Sequence, residues 1–237
     1  MYPGWYLGDA QAIANIDPSH FTLVTEFGAQ SLPRFETLKE FTDIRAGCIS
    51  WPDLAARGAQ PELLRKHNPD AKTLDELVIS SQRHQAEVIR HDIEFIRSRK
   101  IDGGRGLHVF AFNDCWPSVS WSVVEYDRTP KPAYEAMRKA MQPVQIFLEN
   151  YLQPFRPGLG ERYFTVVNDT PFVIEGAILA ISHSTEPLVD IELAPIPANS
   201  GLRGAVPIAF EVGRYDLRFD LSWIDQTVSN TYRILVE

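Results

Sequence analysis

The sequence predicts two fold classes in tandem: an α/β region with parallel strands over residues 1–143, and an all-β, immunoglobulin-like sandwich over 144–237. Three observations carry this. Before Pro143, strand-like and helix-like segments alternate, the order that builds parallel sheets. After it, short apolar runs recur between turn residues, several with period two, as in half-buried antiparallel strands. The charge is uneven too. All six lysines stand at or before Lys139, whereas from Val144 onward six arginines face twelve carboxylates, giving −6 of the net −8. A domain boundary is expected near Pro143 to Glu149.

In the first region Phe21-Thr22-Leu23-Val24-Thr25 is a short apolar, β-branched run suited to a buried strand. Asp43 to Lys72 has no clean period and reads as a long loop. Thr73-Leu74-Asp75-Glu76 is a capping box, whose two side chains satisfy orphan N–H groups at a helix start. Leu77, Ala86, Ile89, Ile93 and Ile96 then recur at helical spacing until Asp102-Gly103-Gly104 ends the helix. Leu107 to Phe112 is the next buried strand, and Pro132 to Met141 a second helix with proline in its first turn. In the second region strands are expected at Tyr163–Val167, Phe172–Ile181, Val189–Leu193, Val206–Val212, Tyr215–Leu221 and Thr231–Val236. Roughly seven short strands in such a length make a sandwich.

Composition narrows the function classes. With 44% apolar and 23% charged residues the chain is of globular type. A net charge of −8 argues against a nucleic-acid partner. No run approaches the ~20 apolar residues of a membrane helix, so no membrane partner is expected. The Met1-Tyr2-Pro3-Gly4-Trp5 start lacks the features of a secretory signal, and Cys48 and Cys115 form no framework. Free thiols in a reducing, cytoplasmic compartment are therefore expected. The six histidines are dispersed, so neither a metal site nor a cofactor is expected.

Two places can carry chemistry. Glu26 directly follows the first expected strand, and the C-terminal ends of parallel strands are where α/β folds place active sites. By residue type alone the commoner reading is an ordinary solvated glutamate. Asn113-Asp114-Cys115-Trp116-Pro117 follows the second strand in the same way. Asn113 and Asp114 have the polar groups to bind a polyol, and Trp116 the flat apolar face to stack on a sugar ring; a turn with a core tryptophan is the plainer alternative. Tyr2, Trp5 and Tyr6 add aromatic rings with polar tips.

These segments resemble a known family. Phe21-Thr22-Leu23-Val24-Thr25-Glu26-Phe27-Gly28-Ala29-Gln30-Ser31-Leu32-Pro33, followed by Phe35-Glu36-Thr37-Leu38, resembles the nucleophile segment of family 2 glycoside hydrolases, above all their β-mannosidase-like members. Phe112-Asn113-Asp114-Cys115-Trp116-Pro117-Ser118-Val119-Ser120-Trp121-Ser122, with Tyr126 and Lys131-Pro132-Ala133-Tyr134, resembles their last barrel strand and helix. Tyr2-Pro3-Gly4-Trp5-Tyr6 is similar to the end of the sixth strand in related β-glucuronidases and β-galactosidases. The resemblance implies that 1–143 is the C-terminal portion of a (β/α)8 TIM barrel, about strands seven and eight with their helices, and that 144–237 is the sandwich that follows it. It implies a retaining mechanism with Glu26 as nucleophile and Trp116, Asn113, Asp114, Tyr2 and Trp5 as substrate-binding residues, on a β-linked sugar, β-mannoside favoured.

The same resemblance exposes a gap. Retaining glycosidases use two carboxyl groups about 5–5.5 Å apart, one as nucleophile and one as acid/base. In the family the acid/base glutamate follows an asparagine, and no asparagine of this chain precedes a glutamate. Two strand–helix units do not close an eight-stranded barrel. The expectation is a fragment or subunit that needs a complementing polypeptide and does not turn over substrate alone. The alternative is a non-catalytic carbohydrate-binding or interaction module.

Overall fold

The computed structural model describes residues 2–40 and 48–237 and divides into two compact units. The first holds the chain up to Ile93 together with Gly106–Ala140; the second holds Glu94–Arg105 and Met141–Glu237.

The regular elements of the first unit are β1 (Leu23–Phe27), α1 (Phe35–Lys39), α2 (Trp51–Ala56), α3 (Pro61–His67), α4 (Leu74–Ser98), β2 (Gly106–Val109) and α5 (Pro132–Ala140). β1 and β2 pair in parallel, with Leu23 opposite Gly106 and Phe27 opposite Val109. β1 begins two residues later than the apolar run. Pro18–Phe21 forms a 3-10 turn, held where the Asp17 carboxylate accepts from the Ser19 N–H at 2.8 Å. Glu26 therefore lies inside the strand rather than after it. Of the long loop expected over Asp43–Lys72, the portion Asp43–Gly47 lies outside the described residues. The rest folds into α2 and α3. Each carries proline in its first turn, where the missing N–H costs nothing, and each is too short to show a period.

α4 starts as its capping box requires. The Thr73 N–H donates to Glu76 Oε2 at 3.1 Å, and the Glu76 N–H to Thr73 Oγ1 at 3.2 Å. Leu77, Val88, Ile89 and Ile93 are buried on its inner face. After Ser98 the chain tightens into a 3-10 turn, Arg99–Asp102, and stops at Gly103, whose φ is +99°.

The second unit carries β3 (Val144–Leu148), β4 (Gly158–Asn168), β5 (Ile178–His183), β6 (Glu186–Glu192), β7 (Ser200–Phe210), β8 (Gly213–Trp223) and β9 (Gln226–Val236). They form two antiparallel sheets of order β3-β4-β7 and β6-β5-β8-β9. Both sheets contribute to one core that includes Ile146, Val166, Ile208, Leu179, Phe219 and Ile234. The stretch expected as a boundary, Pro143 to Glu149, is mostly β3, every residue of which is buried. The single strand expected at Phe172–Ile181 is divided. Gly176 turns with φ +61°, Ile174 bridges only to Ile196, and the regular strand starts at Ile178.

Residues 94–105 are fastened to this unit by polar contacts. Arg97 donates to Asp169 at 2.7 Å and Lys100 pairs with the same carboxylate. Glu94 accepts from Asn230 and from the Tyr232 hydroxyl, both at 3.1 Å, and Arg203 reaches Asp102 at 2.9 Å. Asn168, fully buried, donates to the carbonyls of Phe172, Ile196 and Pro197 and accepts from Thr170.

Candidate active site

Glu26 is exposed near the C-terminal end of β1. The Tyr2 hydroxyl donates to Glu26 Oε2 at 2.7 Å, bringing together residues 24 apart in sequence. Burial, followed by the Glu26 carboxylate it faces, holds the Tyr2 phenol well above its usual range, so it remains a donor across ordinary pH. Gly28 makes the local geometry feasible. Its φ is +143°, and a Cβ there would stand 2.7 Å from the Phe110 carbonyl, where β1 and β2 approach each other.

Around Tyr2 lies an aromatic cluster. Its ring centroid is 4.8 Å from Trp121 and 5.5 Å from Tyr6, and Trp121 also meets Tyr6, Trp5 and Phe110. Trp5, expected to contact the sugar, is fully buried at the base of this cluster. Its indole N–H donates to Gln60 Oε1 at 2.8 Å. The His67 ring stacks on Trp5 at 5.2 Å and on His84 at 4.6 Å. Their Nε2 atoms meet the Trp5 and Gly4 carbonyls at 3.0 and 2.9 Å. Burial pushes both imidazoles down, His84 to about 4, with the neighbouring His67 adding to the effect.

A buried polar network ties the segment after β1 to the segment after β2. Gln85, on α4, donates to the carbonyls of Ala29, Trp121 and Ser122 at 2.9, 3.0 and 3.2 Å and accepts from Ser31 at 2.8 Å. Lys131 is buried and donates to Ser31 at 3.2 Å; burial lowers its ammonium to about 8, opposed by the charges of Asp114 and Glu125. Gln30 donates to the Gly58 carbonyl at 2.7 Å and accepts from the Gln60 N–H at 2.8 Å, pinning α2 and α3 to the same segment.

Asn113, Asp114 and Trp116 lie together in the segment that follows β2. Asp114 accepts from Ser122 at 2.6 Å and serves as a brace of the turn. Asn113 is exposed and donates to the Asp114 carbonyl at 3.0 Å. Trp116 is 51% exposed in that turn. The indole against Tyr2 belongs to Trp121, five residues on from Trp116 and of equal standing with it by residue type.

No family model matches this chain. Among curated proteins it is similar to β-mannosidase B of Thermothelomyces thermophilus, 28% identical over 160 residues, which are 60% of this chain and 18% of that protein. It is also similar to β-mannosidase B of Aspergillus oryzae, 26% identical over 132 residues, 52% of this chain and 16% of that protein. The chain thus spans less than a fifth of the length of these relatives. Among solved structures it resembles the β-D-mannosidase of Dictyoglomus thermophilum, with a TM-score of 0.70 and 24% identity over 93% of this chain and 29% of that one. It also resembles an exo-chitosanase of Amycolatopsis orientalis, with a TM-score of 0.65 and 19% identity over 90% and 27%. In sequence and in fold, this mixed α and β chain is like the β-mannosidases of glycoside hydrolase family 2.

Proposed function

We propose that this chain supplies the nucleophile side of a retaining β-glycosidase, acting on a β-mannoside, with Glu26 as the attacking carboxylate. The observation that carries the reading is the Tyr2 hydroxyl on Glu26 Oε2 at 2.7 Å, at the end of a parallel strand and beside an aromatic cluster. The similarity to proteins named β-mannosidase supports it. A Glu26 oxygen attacks the anomeric carbon, the glycosidic C–O bond breaks, and the leaving oxygen departs with the bonding electrons. Tyr2 orients the carboxylate, and water later cleaves the ester. In this reading β1 and β2 are the seventh and eighth strands of a (β/α)8 barrel and the second unit is an immunoglobulin-like sandwich. The acid/base comes from a complementing polypeptide that carries the other strands.

The test is covalent trapping. A 2,4-dinitrophenyl 2-deoxy-2-fluoro-β-mannoside carries a leaving group that needs no protonation, so the nucleophile alone suffices for the first step. Mass spectrometry of the treated chain is expected to find one fluoroglycosyl ester on the peptide bearing Glu26 and none in Glu26→Gln. Treated protein without the ester overturns the nucleophile assignment. Steady turnover of an unactivated methyl β-mannoside by the chain alone, abolished in Glu26→Gln, overturns the need for a second polypeptide.

A further inference from the structure

The N-terminal turn that carries Tyr2 is fastened both to itself and to two helices. The Tyr2 carbonyl accepts from the N–H groups of Trp5, Tyr6 and Leu7 at 3.3, 3.0 and 3.1 Å, and the Gly4 N–H donates to the Asp9 carbonyl at 2.9 Å. The carbonyls of Gly4 and Trp5 are each met by a histidine from a different helix. Nε2 of His84, on α4, lies 2.9 Å from the Gly4 oxygen, and Nε2 of His67, on α3, lies 3.0 Å from the Trp5 oxygen. A carbonyl only accepts, so both nitrogens carry the hydrogen and donate it. Gly4 makes the close approach possible. Its φ is +72°, and a Cβ there would stand 2.7 Å from Val88 Cγ2, one turn beyond His84 on α4.

The two imidazoles are also packed in one pile with Trp5. His67 lies between His84 and the indole, with centroids 4.6 and 5.2 Å away and interplanar angles of 18° and 20°. Trp5 meets Trp121 edge-on at 5.5 Å, and Trp121 meets Tyr2 at 4.8 Å. The histidines thus bear on Tyr2 by two routes, the backbone of the turn and the stacked rings. Tyr2 itself is only partly buried, so the place of its hydroxyl depends on where the turn sets its backbone. A hydrogen bond of 2.7 Å to Glu26 weakens steeply with a small displacement.

We propose that His67 and His84 are positioning residues for Glu26. As a pair of N–H donors clamped on the Trp5 and Gly4 carbonyls, they set the N-terminal turn so that the Tyr2 hydroxyl meets the carboxylate. They act through Tyr2. Their effect on a reaction rate rests on the reading of Glu26 as nucleophile; their effect on the contact between Tyr2 and Glu26 does not. The donor is what matters in this arrangement, and a packing role for the same two rings makes the opposite demand on a substitution.

The test sets His67→Gln and His84→Gln, which keep an N–H donor and lose the ring, against His67→Phe and His84→Phe, which keep a ring and lose the donor. The full chain carries eight tyrosines, labelled with 13C at Cζ, and Tyr2→Phe identifies the Tyr2 resonance. Burial and then the Glu26 carboxylate hold the Tyr2 phenol above its usual range. It is expected to titrate there in the parent and in the Gln variants, and to fall towards the ordinary 10.0 in the Phe variants. Trapping by the fluoroglycoside is the second readout, at neutral pH. Each Phe variant is expected to slow it by about three- to tenfold and each Gln variant by less than about twofold. In a Tyr2→Phe chain, His84→Phe is expected to add nothing, because both act through one hydroxyl. Phe variants that keep the parent's Tyr2 titration while the Gln variants lose it show a packing role and overturn the proposal, with the Glu26 reading untouched. Further slowing by His84→Phe in the Tyr2→Phe chain overturns it too. If the titrations follow the expected order and the parent itself is never trapped, the nucleophile reading fails and the clamp on Tyr2 stands.

Discussion

At the scale of single residues, the contact between Tyr2 and Glu26 has the largest consequence for the proposed chemistry. A hydrogen bond to a charged acceptor contributes about 1.5–3 kcal/mol. Tyr2→Phe keeps the ring against Trp121 and removes only the donor. Trapping of Glu26 by the fluoroglycoside, followed by mass spectrometry, is expected to slow by about ten- to a hundredfold. Equal rates would show that Tyr2 does not orient the carboxylate. Gly28→Ala is expected to act from the backbone. The new methyl group meets the Phe110 carbonyl, so a loss of stability of about 1–3 kcal/mol should appear in urea unfolding. A carboxylate at the end of a β-branched run was legible in the sequence. Its partner was not, because no local pattern links residues 2 and 26, and Trp121 was not, because an exposed Trp116 and a clustered Trp121 share the same side-chain chemistry.

At the scale of elements, α4 works through its side chains. Gln85 gathers three carbonyls from two separate segments, and Gln85→Ala leaves them buried without that donor. A loss of about 2–4 kcal/mol is expected in urea denaturation, larger than for the exposed neighbour Arg83→Ala. His84, on the same helix, makes the fold acid-sensitive. Burial keeps it neutral down to about pH 4, whereas in the unfolded chain it takes up a proton near 6.5. Between those values the unfolded state binds more protons, so stability falls as pH drops from 6.5 towards 4, by up to about 3 kcal/mol. His84→Gln is expected to flatten the dependence of Tm on pH in that window; an unchanged slope would mean His84 is not buried neutral. The start of α4 was legible because a capping box is a local signal, and the later strands because alternation is local too. α2, α3 and β3 were not. The helices are shorter than two full turns, and β3 is buried on both faces, which removes its alternation.

At the scale of the molecule, the two units differ in self-sufficiency. The seven strands of the second enclose one core. In the first, β1 and β2 form a sheet of two, and Leu23, Phe110 and Phe112 are 53%, 41% and 54% exposed. Two-stranded sheets are marginal alone, and exposed apolar side chains invite association. A dye that fluoresces on apolar surface is expected to bind the chain and to be displaced by the proposed complementing polypeptide. Weak dye binding, or dye retained in the complex, would argue that these side chains are not its landing site. The fastening of residues 94–105 to the second unit has a practical corollary for anyone dissecting this protein. A gene cut at Met141 follows the order of the message and discards Arg97 and Lys100, the cations on Asp169, and Glu94, the acceptor for Tyr232. The excised piece would start life with orphaned charge and should melt below the parent. Splicing 94–105 back on through a flexible tether, outside its natural place in the chain, is the way to obtain that module intact.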